Sequence, residues 1–479
     1  MRTSWLTLPL LVILLTWTAA PCLAVGSTHP NIVIFVVDDL GWGDVGYHGS
    51  EIRTPNIDRL AANGIMLEHF YAFPLCSPTR AALMTGRSPI ELGIDGPIAP
   101  SAKEGLPLDE HLLPQTFKEA GYQTFMTGKW HLGLAKVSYF PTSRGFDHFY
   151  GHLGPQVDYF THLIEGGLDW QRNGKSVREK GYTTELIANE SVRLLHERDK
   201  SKPTLLYVAF NAVHTPLQAP QSYIDKYANI KEEPRRIYAA MTEAMDVAIG
   251  KVLDALDAEG MTGDTLVLFI SDNGGARAAR NTPLRGGKGT PFEGGIRVPA
   301  AIWWPGVLEG GGKSDLFITA SDWLPTLAAA AGVPVGNTKP LYGENLWPAL
   351  RDGKTVARKD ILIGARGNFA LFHQGWKLVQ NTPRGGGTRE TLLFRISEDP
   401  LEKHDLAAEH PELVRQLVAE IEAFPKGRSL VGGPGGARRQ AGQRRQAGQR
   451  PQGPRRRNPR TTGETKETRP PYAEAAARE

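Results

Sequence analysis

The 479-residue sequence predicts an α/β sandwich, a large mixed central sheet with helices on both faces, followed by a smaller α+β unit built on an antiparallel sheet. Three observations predict it. Four strand-like runs, three of them nearly continuous in apolar residues, fit strands buried on both faces. Helix-like stretches lie between those runs, the alternation expected of helices packed on a largely parallel sheet. Past residue 338 the pattern changes to short strands at close spacing.

The first buried run is 31–37, and it ends in Asp38-Asp39. The second, 122–127, ends in Gly128-Lys129-Trp130-His131. The third, 204–210, ends in Asn211-Ala212-Val213-His214, and the fourth, 265–271, in Asp272-Asn273-Gly274-Gly275. Helices are read over 56–63, 112–120, 185–198 and 237–259. In open α/β sheets ligands bind beyond the carboxyl ends of the strands. Every polar cluster here sits at such an end, so two acidic pairs and two basic clusters are expected to meet in one crevice. Segments 360–363, 369–372, 376–379 and 391–394 read as the antiparallel strands, and 411–424 as an amphipathic helix. This divides the body into a larger catalytic domain, 28–337, and a smaller one, 338–424.

The two ends stand apart. Arg2, the apolar run 10–15 and the small residues up to Ala24 read as a secretory signal peptide over 1–24. No later apolar run is long enough to span a bilayer. An exported protein without a membrane span, periplasmic or secreted, is expected. From 425 to 479 the chain is low-complexity, with 438–443 repeated as 444–449. It holds fourteen basic and four acidic residues, so the body is net acidic although the whole chain carries +4. The tail reads as disordered. It fits either an extension without a role or an electrostatic tether to a polyanion.

Cys22 leaves with the leader, which makes Cys76 the one thiol of the mature chain and excludes an internal disulfide. Within Pro74-Leu75-Cys76-Ser77-Pro78-Thr79-Arg80, Ser77 suits an N-cap and Pro78 the first position of a helix. Cys76 would then precede a helix N-terminus, where free N–H groups favour an anion. Arg80, one turn in, can hold a deprotonated nucleophile or an oxyanion. A buried cysteine packing as a small hydrophobe fits the same position. Asp38, Asp39, Asp272 and Asn273 offer only oxygen ligands, which suit a hard cation such as Ca²⁺ or Mg²⁺. Lys129 and His131, two apart, face one side of an extended chain.

The segment around Cys76 resembles the signature of the sulfatase family: cysteine, any residue, proline, any residue, arginine. Residues 121–131 resemble the family's second signature at every fixed position. Asp38-Asp39, Asp272-Asn273 and Lys288 within 284–290 also match. The resemblance runs from about Pro30 to Phe424, and the arylsulfatase B (N-acetylgalactosamine-4-sulfatase) branch is the most similar. It implies an alkaline-phosphatase-like fold and hydrolysis of sulfate monoesters on carbohydrates, with arylsulfatase activity on surrogate substrates. It also implies that a formylglycine-generating enzyme oxidises Cys76 to formylglycine. One hydroxyl of the hydrated aldehyde then attacks sulfur, and a covalent sulfo-enzyme intermediate follows.

The resemblance implies a metal site of Asp38, Asp39, Asp272, Asn273 and the converted Cys76, with Ca²⁺ ahead of Mg²⁺. Arg80 and Lys129 would hold the nucleophile and a sulfate oxygen. His131 would orient the formylglycine or take the proton from its second hydroxyl. His214 and Lys288 would lie near the ester oxygen and the sulfate. The loop 150–158 departs from the family's substrate-contacting region. Two other readings stand beside this one. The same fold and metal site suit a phosphatase or phosphonate monoester hydrolase, and a non-catalytic binder of sulfated polysaccharide could use the basic tail.

Overall fold

In the computed structural model, residues 29–336, 338–383 and 386–431 are described. The signal segment 1–24 and the tail beyond 431 lie outside the described residues. The four buried runs form the middle of a ten-stranded sheet. Asn31–Val37 lies at its centre, paired in parallel with Thr204–Ala209 on one side and Thr265–Ser271 on the other. Gln123–Lys129 pairs in parallel with Thr204–Ala209.

A fifth parallel strand, His148–His152, follows Gln123–Lys129. Its sequence, His-Phe-Tyr-Gly-His, has no continuous apolar run, so it is not legible as a buried strand. The antiparallel strand Ala300–Trp303 lies beyond Thr265–Ser271. Short strands of two or three residues complete both edges. Edges this short limit the unpaired backbone offered to another chain.

Side-chain alternation sorts the core into two layers. Ile32, Ile34 and Val36 pack against helices Cys76–Thr85, Leu113–Glu119 and Trp323–Ala330. Val33, Phe35 and Val37 pack against Pro55–Asn63, Thr183–Glu197 and Glu233–Ala258. The fold is therefore the mixed-sheet sandwich that the sequence predicts. One tie between layers is polar. The N-terminus of Pro55–Asn63 has free N–H groups, and Asp246 of the long helix accepts those of Asn56 and Ile57 at 3.0 and 2.8 Å.

The C-terminal sheet is antiparallel, in the order Ile361–Ala365, Asn368–His373, Trp376–Asn381, Glu390–Phe394. One of its faces joins the main core through Ile361, Ile363, Ala370 and Phe372. The other is covered by helix Pro411–Ala423 through Leu417 and Ile421. A buried ion triad links it to the active-site side of the molecule. Lys377 Nζ lies 2.7 Å from carboxylate oxygens of both Glu293 and Glu402.

The disorder expected from residue 425 does not extend over 425–431. Gly427 N–H donates to Ile90 O at 2.9 Å, Leu430 N–H to Gly93 O at 2.8 Å, and Ser429 Oγ to Asp95 at 2.7 Å. Gly93 permits this contact: its φ is 71°, and a Cβ there would lie 2.0 Å from the carbonyl of Arg428. The charge-rich repeats lie outside the described residues.

Candidate active site

The carboxyl ends of the four central strands meet as expected, and the helix carrying Cys76 closes the crevice over them. Asp38 N–H donates to Ala212 O at 2.9 Å and Val213 N–H to Asp38 O at 2.7 Å, so the sheet ladder continues into the site. Asp39 then leaves the strand with φ 65°. That left-handed turn is uncommon for a residue with a Cβ. It directs two adjacent carboxylates into one crevice, where alternation along a strand would send them to opposite faces.

Cys76 is the first residue of its helix, and Leu75 occupies the cap position. The expected cap at Ser77 is therefore displaced by two residues. Ser77 Oγ instead donates to His131 O at 2.9 Å and accepts Ile98 N–H at 3.1 Å. It fastens the nucleophile helix to the histidine loop. Cys76 Sγ lies 3.4 Å from Asp38 Oδ1 and 3.4 Å from Lys288 Nζ. Burial pushes the thiol's pKa up, and the Asp38 charge adds to that.

The cations are interleaved with the carboxylates. Lys129 Nζ is 2.5 Å from Asp38 Oδ2, and Lys288 Nζ is 2.5 Å from Asp39 Oδ1. Arg80 sets both Nε and Nη2 on Asp272 Oδ2 and donates Nη1–H to Lys129 O at 2.8 Å. Burial opposes ionisation of Asp38, but Lys129, His214, Arg80 and Lys288 hold its carboxyl well below the usual range. Asp272 goes the other way: burial and the Asp38 charge push it up to about 6.

Lys129 belongs to its strand, which continues two residues past the predicted end. Gly128 allows this, because a Cβ there would lie 1.8 Å from Ala209 O. His131 does not continue the extended chain: its φ is 59°. The two residues thus converge through a turn rather than through strand periodicity.

Both histidine tautomers follow from their partners, since a backbone carbonyl can only accept. His131 Nε2–H faces Ile98 O at 3.1 Å, leaving buried Nδ1 bare and without a partner. Burial, with Lys129 and Arg80 nearby, holds its pKa well below the ordinary value. His214 Nδ1–H faces Thr215 O at 2.7 Å, and its Nε2 lies 3.8 Å from Asp39 Oδ2. Burial lowers its pKa too.

The donor set fits a hard divalent cation. Asp38, Asp39, Cys76 and His214 each place a ligand atom within 4.8 Å of the others. Asn273 donates Nδ2–H to Asp39 at 2.7 Å, while its Oδ1 is buried with no hydrogen-bond partner. An orphaned amide oxygen beside three carboxylates is what an oxygen-seeking ion would satisfy.

Sequence reasoning missed several supports. Tyr159 Oη donates to the carbonyls of Asn211 and His214 at 2.7 and 2.8 Å and so holds the His214 turn. Ser271 Oγ accepts Leu40 N–H at 3.2 Å and donates to Asn273 O at 3.0 Å. His152, aligned with Lys129, is fully buried. A buried aromatic hydroxyl or a strand-end serine gives no local pattern, because its partners are far away in sequence.

The sulfatase family model matches residues 30–333, a span that contains every one of these groups. The chain belongs to the sulfatase family. This sulfatase is 36% identical to arylsulfatase J of Mus musculus, over 84% of this chain and 76% of that protein. It is 31% identical to N-acetylgalactosamine-6-sulfatase of Homo sapiens, over 82% and 85%. Among solved structures it is similar to Ps i-CgsB in complex with k-i-k-neocarrahexaose. The TM-score is 0.78 with 34% identity, covering 84% of this chain and 94% of that one. PsFucS1 sulfatase from Pseudoalteromonas sp. gives a TM-score of 0.69 with 27% identity, over 83% and 91%.

Proposed function

We propose that this sulfatase hydrolyses sulfate monoesters on carbohydrates, with aryl sulfates as surrogates, through formylglycine made from Cys76. The observation that carries the reading is the position of Cys76, 3.4 Å from both an Asp38 oxygen and the Lys288 ammonium at the start of a helix. With its pKa pushed up, the unconverted thiol is protonated at neutral pH and a poor nucleophile. The hydrated aldehyde supplies two hydroxyls, one to attack sulfur and one to expel sulfate.

Asp38, Asp39, Asp272 and Asn273, with residue 76, would hold the cation, Ca²⁺ ahead of Mg²⁺. When bound, it polarises a sulfate oxygen and lowers the pKa of a bound hydroxyl. The chain's own groups do the rest. Lys129 and Lys288 offer ammonium N–H groups to the sulfate oxygens. Arg80 keeps Asp272 aimed at the site. His131 Nδ1, bare and buried, takes the proton of the second hydroxyl. His214 Nε2 stands at the open side and serves the departing alcohol.

Two similarities support a sugar substrate: one relative is an N-acetylgalactosamine-6-sulfatase, and one solved relative holds a carrahexaose. The leader read at 1–24 supports export to the periplasm or medium.

The test is mass spectrometry across the Cys76 peptide from the native host, paired with assays on aryl sulfate and aryl phosphate. An aldehyde at residue 76 and hydrolysis of the sulfate are expected. A thiol there in active protein, or a preference for the phosphate, would refute the reading.

A further inference from the structure

We propose that Arg277 is a specificity residue that binds a second anionic group, on the sugar next to the one being desulfated. The preferred substrate is then a polyanionic saccharide rather than an isolated monosulfated one. The inference rests on the sulfatase reading of the Cys76 site and names the substrate class for it.

A groove of about 640 Å³ opens at Asp39 and runs along Val213, Thr215 and Leu217 to the loop 276–280. Sites of roughly 300–1,000 Å³ take ligands the size of small organic molecules, so there is room for more than a sulfate group. The loop forming the far wall is pinned at two points after Arg277. Arg235 Nη1 donates to Ala278 O at 3.0 Å, and Arg280 N–H donates to Asp44 Oδ2 at 2.9 Å.

Three arginines line this groove, and two are already engaged. Arg235 pairs with Asp44 at 2.6 Å and Glu51 at 2.9 Å, and Arg280 pairs with Glu51 at 2.7 Å. Arg277 is exposed and, among the described residues, makes no hydrogen bond or ion pair. It is also held at φ 34°. A non-glycine residue in this region costs about 1 kcal/mol or more and tends to persist where a site uses it. The result is an unspent guanidinium, carried on an anchored loop, facing a cavity that begins at the catalytic carboxylates. Its planar fork matches a sulfate or carboxylate through two parallel hydrogen bonds.

The charge of a neighbouring groove sets the direction of the substrate. A second groove, of about 550 Å³, shares Thr215 and is lined by Asp158 and Glu165. Its lining carries no lysine or arginine to hold an anionic group, whereas the first groove carries Arg277. Glu232, at the rim of the Arg277 groove, is placed to accept from sugar hydroxyls. The saccharide therefore lies with its next anionic unit toward Arg277 and a neutral unit toward Asp158.

The experiment uses the full-length matured enzyme and 4-nitrophenyl sulfate as reporter. Competitors are two galactan tetrasaccharides of equal length, one with a single sulfate and one with sulfates on neighbouring sugars. For wild type the disulfated competitor should have an inhibition constant about tenfold lower, the worth of one charge-assisted pair. In Arg277→Ala that ratio should fall to about one, and in Arg277→Lys it should lie between. A thermal midpoint equal to wild type shows that the variant is folded. Equal inhibition of wild type by both competitors, or an unchanged ratio in Arg277→Ala, would overturn the assignment while leaving the sulfatase reading intact. Wild type that fails to hydrolyse the reporter would bring down the sulfatase reading itself.

Discussion

Arg80 places Nε and Nη2 on a single oxygen of Asp272, Oδ2, at 3.0 and 2.8 Å, with both side chains fully enclosed. Its remaining nitrogen reaches the carbonyl of Lys129, so one side chain joins the acidic and basic strand ends. Arg80→Ala would strand Asp272 as a buried, uncompensated charge. Breaking such a pair costs about 3–5 kcal/mol. Activity on aryl sulfate should fall by about a hundredfold or more, the scale of losing a preorganised charge contact. Lysine cannot reproduce this fork of three hydrogen bonds to two acceptors, so Arg80→Lys should recover little. Urea unfolding and kcat/KM measure the two effects, and a fully active lysine variant would contradict this role.

Lys377 is buried between Glu293 and Glu402, 2.7 Å from each. Glu293 also accepts from Tyr71 Oη at 2.9 Å and lies five residues after Lys288. Lys377→Met leaves two carboxylates facing each other with Arg297, 3.7 Å from Glu293, as the nearby cation. A loss of about 3–5 kcal/mol is expected. Adding Glu293→Gln and Glu402→Gln to that variant should restore much of it, because neutral groups of similar shape need no counter-charge. Denaturant midpoints of the single and triple variants check this, and a single variant as stable as wild type would refute it.

Asp246 accepts three N–H groups at the start of helix Pro55–Asn63, yet burial pushes its carboxyl up to about 6 from 3.8, with the Asp58 charge adding to it. The folded chain therefore holds this proton more tightly than the unfolded chain. Between about pH 4 and pH 6 the native state binds more protons, so stability declines as pH rises through that window and levels off above it. At 1.36 kcal/mol per pH unit the contribution is at most about 3 kcal/mol. Asp246→Asn, neutral throughout, should flatten that stretch of the pH–stability curve. Guanidinium titrations at pH 4, 5, 6 and 7 would show it, and an equal slope in both proteins would rule it out.

Chelation should expose the repulsion among Asp38, Asp39 and Asp272. Treating the matured enzyme with EDTA is expected to abolish sulfate hydrolysis and lower the melting temperature. Returning Ca²⁺ at a hundred times its dissociation constant should restore about 2.7 kcal/mol of stability. Asn273→Ala removes an unpartnered amide oxygen beside these carboxylates, so it should need more Ca²⁺ for the same shift. Calorimetry with and without chelator decides, and a melting temperature indifferent to both would count against a cation at this site.

The site was legible to the degree that its residues lie at the ends of recognisable strands. Asp38-Asp39 and Asp272-Asn273 follow nearly continuous apolar runs, and such runs have few alternatives to a buried parallel strand. Cys76, Arg80 and Lys129 stand in contiguous motifs, as does His131. The strand His148–His152 escaped because its polar ends and Gly151 hide a burial that comes from its neighbours. Ser77 looked like a cap because serine before proline is a good local cap. In the fold its hydroxyl is taken by Ile98 and His131, partners 21 and 54 residues away.

By itself the sequence determined the sandwich of a mixed sheet, the order of strands carrying chemistry, and the residue types that meet at their ends. These depend on local patterns: apolar runs, motif spacing and charge. Only the tertiary structure decided which nitrogen of His131 and His214 is bare, which arginine is spent and which is free, and that Asp39 and His131 turn through left-handed backbone into the crevice. Those outcomes depend on hydrogen-bond partners and close contacts between segments as much as 249 residues apart. No window of sequence contains both partners, so their geometry exists only once the chain is folded.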